Sequence, residues 1–227
     1  MKLSKLTLDI LNNFKNINEN LVVYPGNRIR TKTVENRILA EAVVEETFER
    51  EFGIYDLKSF ISAYNILKDP ELIFSDEDYV LIKEGRSEIK YYFSETSFLT
   101  NIPPDKNLVL PNKSVCFQLP QSLNERISKM TMFDSDRKKW AVEFSGDNKE
   151  ITMKVYHKED PTMTSYMTSV GETSNTFSIK TDLDGFVFLS GDYDIVLSVE
   201  PYLLEARNED KNLRYVMTMS PESTFEE

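Results

Sequence analysis

The sequence holds a single cysteine, a single histidine and only seven glycines among 227 residues. Each scarcity excludes a class of chemistry. One cysteine, Cys116, permits no intrachain disulfide and no cysteine-rich metal site, and it suits a reducing compartment such as the cytoplasm. Its neighbours Val115 and Phe117 lead us to expect a small buried hydrophobe. With one histidine, His157, and no Gly-x-Ser-x-Gly elbow, a nucleophilic triad has no support. His157 ends a strand-like run and is expected at the surface. The few glycines form no phosphate-cradling loop. No apolar run approaches the ~18 residues that a membrane span needs. Asp9 and Asn12 interrupt the N-terminal stretch as a signal peptide, so the Asn112-Lys113-Ser114 sequon lacks a glycosylation context.

The remaining acidic motifs do not assemble a site either. Asp182-Leu183-Asp184-Gly185 opens like a calcium loop, then runs into Phe-Val-Phe-Leu, so a helix start is the better reading. Ser75–Asp78 and Asp134–Asp136 read as solvated acidic turns, and Trp140 as a core residue opening a strand. No catalytic group, metal or cofactor is expected, and the chain reads as a non-enzyme.

What is present is an ordinary globular composition, 40% hydrophobic, with 27 basic and 38 acidic residues and hence a net charge of 27 − 38 = −11. A compact nucleic-acid-binding module usually has the opposite sign. A role on nucleic acid therefore requires segregation of charge, or a hold that is not adhesive.

Apolar spacing predicts four helices. Leu3–Ile17 carries the stripe Leu3, Leu6, Ile10, Phe14 and Ile17. Asp56–Leu67 carries Leu57, Phe60, Ile61, Tyr64 and Leu67, with Asp56 as N-cap. Gln121–Phe133 carries Leu123, Ile127 and Met130. Asp182–Leu189 is short and weakened by Gly185. Between them lie alternating runs that read as antiparallel strands: 21–24, 28–33, 37–44, 71–75, 79–83 and 88–93 in the first half, and 114–119, 140–144, 150–157, 163–170, 175–180, 193–199 and 213–219 in the second. Thr100–Pro111, with Pro103, Pro104 and Pro111, breaks the rhythm and reads as a connector. It divides the chain into a domain of residues 1–108, the connector starting near 100, and a domain of residues 109–227.

The halves resemble each other. Phe52, Asp56, Leu57 and Phe60 answer to Phe177, Asp182, Leu183 and Phe186. A Tyr-led strand follows in each half, at Tyr79 and Tyr193, and each half closes on a basic-Tyr pair, Lys90-Tyr91 and Arg214-Tyr215. This is an internal repeat with about two helices per half. Lys2, Lys5, Lys15, Lys58, Arg126 and Lys129 fall on the polar faces of the predicted helices. Charged helix faces are ordinary; six cations gain meaning only if those helices share one surface, where contact with phosphate is sequence-independent.

The opening Met1-Lys2-Leu3-Ser4-Lys5, the helix entry Ile54-Tyr55-Asp56-Leu57, the turn Gly191-Asp192-Tyr193, and Tyr215-Val216 with Ser223-Thr224 resemble, in order and spacing, the DNA polymerase sliding clamps of large tailed bacteriophages. The resemblance spans the chain, while Thr31–Arg50 and Pro70–Asn101 match in pattern only. It implies an α+β DNA clamp fold: two similar domains, each with two helices on antiparallel sheets. It also implies a homotrimer closed head to tail through edge strands, with helices lining a hole around double-stranded DNA. The six cations named above would then face DNA. The partners implied are DNA polymerase, an ATP-dependent clamp loader and a sigma-type factor of late transcription, in the host cell cytoplasm and away from membranes. Partner peptides would enter a pocket formed by Leu108, Val109, Leu110, Met217 and Met219, placed by the family's general layout. The competing reading is a β-rich, non-catalytic virion or adaptor protein, in which the basic helices are coincidence.

Overall fold

The computed structural model describes residues 1–104 and 108–226. The chain divides into two compact units, Met1–Lys106 with Asp210–Leu213, and Asn107–Glu209 with Arg214–Glu227. Residues 105–107, in the middle of the expected connector, lie outside the described residues.

The first unit runs α1 (Lys5–Phe14), β1 (Leu21–Val23), β2 (Gly26–Lys32), β3 (Ile38–Phe48), β4 (Phe52–Ile54), α2 (Leu57–Asn65), β5 (Glu71–Phe74), β6 (Tyr79–Glu84) and β7 (Ser87–Tyr92). β1 pairs with β4, β2 with β3, and β5-β6-β7 form a meander, all antiparallel. β3 alternates inward and outward over its whole length, so the inward phase carries Ile38, Ala40, Ala42, Val44 and Phe48, and also Glu46. The helices bury Ile10, Leu11, Phe14, Leu57, Phe60 and Ile61 against this framework. Gly53 in β4 is obligatory: a Cβ there would sit 2.5 Å from the Ser94 carbonyl oxygen.

The second unit runs β8 (Val115–Leu119), α3 (Gln121–Lys129), β9 (Trp140–Asp147), β10 (Glu150–His157), β11 (Tyr166–Glu172), β12 (Thr176–Asp182), β13 (Tyr193–Val199), β14 (Tyr202–Asn208), β15 (Leu213–Thr218) and β16 (Thr224–Glu226). One sheet has the order β11-β10-β9-β12-β16, and β15-β14-β13-β8 follow one another in a second. Trp140, Phe144, Ile179, Leu183, Phe186 and Tyr215 are buried in this unit.

The repeat is visible in element order. β8-α3-β9-β10-β11 is a strand, a helix and three strands. β4-α2-β5-β6-β7 repeats it, and β12 followed by β13, β14 and β15 repeats it with a 3-10 turn, Leu183–Gly185, in the helix position. The Phe-Asp-Leu-Phe correspondence read from the sequence marks the strand-to-helix entry at β4-α2 and at β12.

Three expectations need correction. The helix over Asp182–Leu189 does not form beyond that single turn. Phe186 sits at φ −81°, ψ 71°, and the Val187 amide donates to the Gly185 carbonyl. Burying both Phe186 and Phe188, two residues apart, demands an extended path where a helix would separate them by 200°. Cys116 is exposed: in β8 the inward phase belongs to Val115, Phe117 and Leu119, so the residue between them must face out. His157 is buried instead of lying at the surface; its ring stands edge-on to Trp140, and Nδ1 accepts the Asp160 amide at 3.0 Å.

Candidate nucleic-acid interface

In the first unit, α1 and α2 pack side by side. The Leu3 amide, just before α1, donates to the Tyr64 hydroxyl in the last turn of α2 at 3.0 Å. At the other end, the Leu57 amide that opens α2 donates to the Glu19 carbonyl beyond α1 at 2.8 Å. The start of one helix is thus tied to the end of the other, and the pair is antiparallel. The start of α1 is fixed twice over. The Ser4 hydroxyl accepts the Thr7 amide, and the buried Glu46 carboxylate accepts from the Ser4 amide and the Thr7 hydroxyl. Thr7, absent from the expected stripe, is therefore an inward residue, and Leu6 is only half-buried. Asp56 caps α2 as expected, accepting from the Ser59 amide at 3.0 Å and its hydroxyl at 2.5 Å. The Ser59 hydroxyl is the main reason its carboxyl lies below the usual carboxylate range.

Lys5 and Lys58 are exposed, one at the start of each helix, and so occupy opposite ends of the antiparallel pair. Lys15 is the C-cap of α1 and turns back to donate to the Asn12 side chain at 2.8 Å. Lys2 is not on a helix. It precedes the Ser4 cap and pairs with Asp69 at 2.5 Å, which raises it above the usual lysine range. The exposed face of α1 also presents Asp9, one turn from Lys5, so this face is mixed in charge where the sequence reading counted only cations.

In the second unit, α3 starts after Pro120 without a side-chain cap of its own. Asp192 substitutes: its carboxylate accepts the Gln121 amide at 2.6 Å, and its carbonyl accepts from Asn208 at 2.8 Å. The Gly191-Asp192-Tyr193 turn thus has a structural task, as the N-cap of the helix bearing Arg126 and Lys129. Both cations are exposed. Arg126 donates to the Tyr166 hydroxyl of β11 at 3.1 Å. Glu125 beside it is occupied by the Gln121 amide nitrogen at 2.8 Å.

The expected peptide pocket divides by burial. Val109 is 78% exposed and Leu108 39%, and the Leu108 carbonyl accepts from Arg214 at 2.7 Å. Leu110 is buried, and Met217 and Met219 are 1% and 7% exposed. The methionines are buried in the core of the second unit. They sit in β15 and just beyond it, in the inward phase that also carries Leu213 and Tyr215.

Sequence reasoning missed Tyr166 and Glu46, and it named the turn around Asp192 without seeing its capping task. Asp192 and Glu46 had a signal, an acid at a turn and an acid in the inward phase of a strand. The tie from Tyr166 to Arg126, 40 residues apart, had none. Each unit also presents an open strand edge. β7 ends the meander, while β5 at its other side is covered by reciprocal backbone bonds between Met1 and Leu72. β11 ends the five-stranded sheet. Tyr92 on β7 and Met167 on β11 are 66% and 68% exposed. Among the described residues, no cluster of three or more potential ligands could hold a metal ion, and no helix is long and apolar enough to cross a membrane.

Residues 2–97 match the profile of the DNA polymerase processivity factor family. The sliding clamp of Vibrio phage KVP40 is 37% identical over 107 residues, 47% of this chain and 48% of that one, so this alignment spans about half of either protein. The sliding clamps of Escherichia phage RB69 and Enterobacteria phage T4 are 27% and 26% identical over 100% of both chains. Among solved structures, the A. fulgidus PCNA seen with the C-terminal region of FEN-1 superposes with a TM-score of 0.70 at 15% identity, covering 98% of each chain. The Caulobacter crescentus DNA polymerase sliding clamp superposes with a TM-score of 0.66 at 13% identity, covering 96% of this chain and 64% of that one. At these identities the superpositions establish the fold, which is the DNA clamp fold.

Proposed function

We propose, from its similarity to the sliding clamps of tailed phages, that the chain encircles duplex DNA as a head-to-tail homotrimer and tethers the replicative polymerase. The observation that carries this is the full-length alignment with two phage clamps on a chain whose helices expose Lys5, Lys58, Arg126 and Lys129. The two open edges, β7 in one unit and β11 in the other, suit a heterologous interface that closes by rotation. Topological linkage replaces affinity, which is how a protein of net charge −11 works on DNA. The cations touch phosphates without reading sequence, and the acidic remainder repels DNA from the outside.

In this reading the protein catalyses nothing. An ATP-dependent loader opens and closes the ring, the polymerase docks through a short peptide near Leu108 and Val109, and a sigma-type factor of late transcription uses the same platform in the host cytoplasm. The test has two parts. Electron microscopy of the purified protein should show six-lobed rings. Primer extension on circular primed DNA should become processive with cognate polymerase, loader and ATP, and only with all three. Monomers at micromolar concentration together with unaltered product lengths would refute the proposal.

A further inference from the structure

Tyr166 begins β11, opposite Val155 of β10. Its hydroxyl accepts from Arg126 Nη1 at 3.1 Å. Arg126 lies in the last turn of α3, exposed. A guanidinium has five N–H donors in a planar fork; this bond occupies one and restrains where the fork can go, leaving the other donors for a phosphate. The neighbour of Arg126 in sequence, Glu125, accepts from Gln121 at 2.8 Å and from Ser190 at 3.5 Å. Lys129, one turn on, has no comparable tether: an ammonium on a flexible stem acts as a point charge without orientation.

We propose that Tyr166 is a positioning residue for DNA contact: it holds the Arg126 guanidinium with its free edge toward the phosphate backbone of the encircled duplex. This rests on the clamp reading above and adds a residue to it. The tie also joins the helix bearing Arg126 to β11, the edge of the five-stranded sheet. A neutral hydroxyl serves better here than a carboxylate. It orients the fork and leaves its full charge for phosphate, whereas Asp or Glu at this position would cancel that charge.

The test is a double-mutant cycle on the full-length protein: wild type, Y166F, R126A and the double variant, titrated onto a short fluorescein-labelled duplex across a salt series. Y166F removes one oxygen, and melting curves check that the fold is intact. We expect R126A to weaken binding and to flatten the plot of log K against log salt by about 0.9, one phosphate contact. Y166F should weaken binding about three-fold, as one lost hydrogen bond allows, and should have no effect in the R126A background. An equal effect of Y166F with and without Arg126, or none at all, overturns the positioning role while leaving the clamp reading intact. An R126A variant with wild-type affinity and salt slope overturns both this role and the DNA-facing assignment of α3.

Discussion

Arg137 offers the sharpest test of how the second unit is built. Its Nη2 donates to two carbonyls, Leu183 and Phe186, both at 2.9 Å. These are the carbonyls that flank the 3-10 turn standing where the sequence predicts a fourth helix. A continued helix would have offered Leu183 to the Val187 amide; here that carbonyl accepts from the Phe186 amide and from the arginine. Burial pushes the guanidinium below its usual range, with Asp184 opposing. Each charge-assisted bond contributes about 1.5–3 kcal/mol. Removing the side chain also relieves the cost of burying its charge, several kcal/mol for a fully buried ion and less for a partly buried one. The net loss for Arg137→Ala should then be about 2–4 kcal/mol. Trp140, the single tryptophan, is fully buried in this unit, so urea unfolding followed by its fluorescence reads the unit in question. A loss for Arg137→Ala below about 0.5 kcal/mol would refute the argument that this guanidinium nitrogen holds the turn in place of helical hydrogen bonding.

Other tests follow from the same geometry. Tyr193 and Tyr215 are buried, and desolvation raises both phenols well above their usual range. Their contribution to stability is therefore complete below about pH 10, where the unfolded phenols ionise, and is lost as pH rises beyond it. Absorbance at alkaline pH should show both ionising only with unfolding, and ionisation at ordinary phenol pH in the folded protein would contradict this. Asp56→Ala should cost about 1 kcal/mol by loss of the α2 cap. Because the folded carboxyl titrates below its unfolded value, the difference from wild type should persist at neutral pH and shrink as pH falls below about 4, measured by thermal melting. Charge reversal of Lys5, Lys58 and Lys129 together should impair loading or sliding without changing the oligomer seen by light scattering; unchanged processivity would remove these residues from the DNA face. Val109→Asp should weaken polymerase binding and spare the ring, whereas retained affinity would place the pocket elsewhere. Leu110→Asp is a poorer probe because Leu110 is buried and its loss would disturb folding.

The helices at α1, α2 and α3 were legible because each buries one stripe and begins at a recognisable cap or proline. β3 was legible because its alternation is uninterrupted. β14 was not: Leu203, Leu204, Glu205, Ala206 and Arg207 are helix-forming types, and the strand is made by its context. There Glu205, 6% exposed, accepts from Arg207 on its own strand at 2.7 Å and from Arg214 on β15 at 2.5 Å, so a buried acid is paired within this strand and the next. β4 and β16 are three residues each, below the length at which alternation can be read. The candidate site divides the same way. The cations were legible as residues on polar helix faces. Their partners, Asp69 for Lys2 and Tyr166 for Arg126, depend on chain crossings that only the fold supplies.

The caps bear on how a clamp can hold DNA yet slide. A free helix N-terminus is a ready anion site, because its unpaired amides and dipole favour phosphate. Among the described residues, each α-helix start has a carboxylate at it: Glu46 accepts the amide of the cap residue Ser4 at α1, Asp56 accepts the Ser59 amide at α2 and Asp192 the Gln121 amide at α3. Each adds negative charge where a phosphate would otherwise bind. In the proposed ring, phosphate would meet side chains alone, spaced one or two to a helix, with Asp9 offsetting Lys5. Few phosphate contacts would give a shallow salt dependence and weak, exchangeable binding, as a clamp retained by topology requires. The acidity of the chain would then act at the helix ends. Replacing Asp192 by Asn should test this directly. It keeps a cap for α3 but removes the charge, so a short duplex should bind more tightly at low salt while polymerase-driven sliding slows; unchanged duplex affinity would show that the cap charge plays no part in keeping DNA mobile.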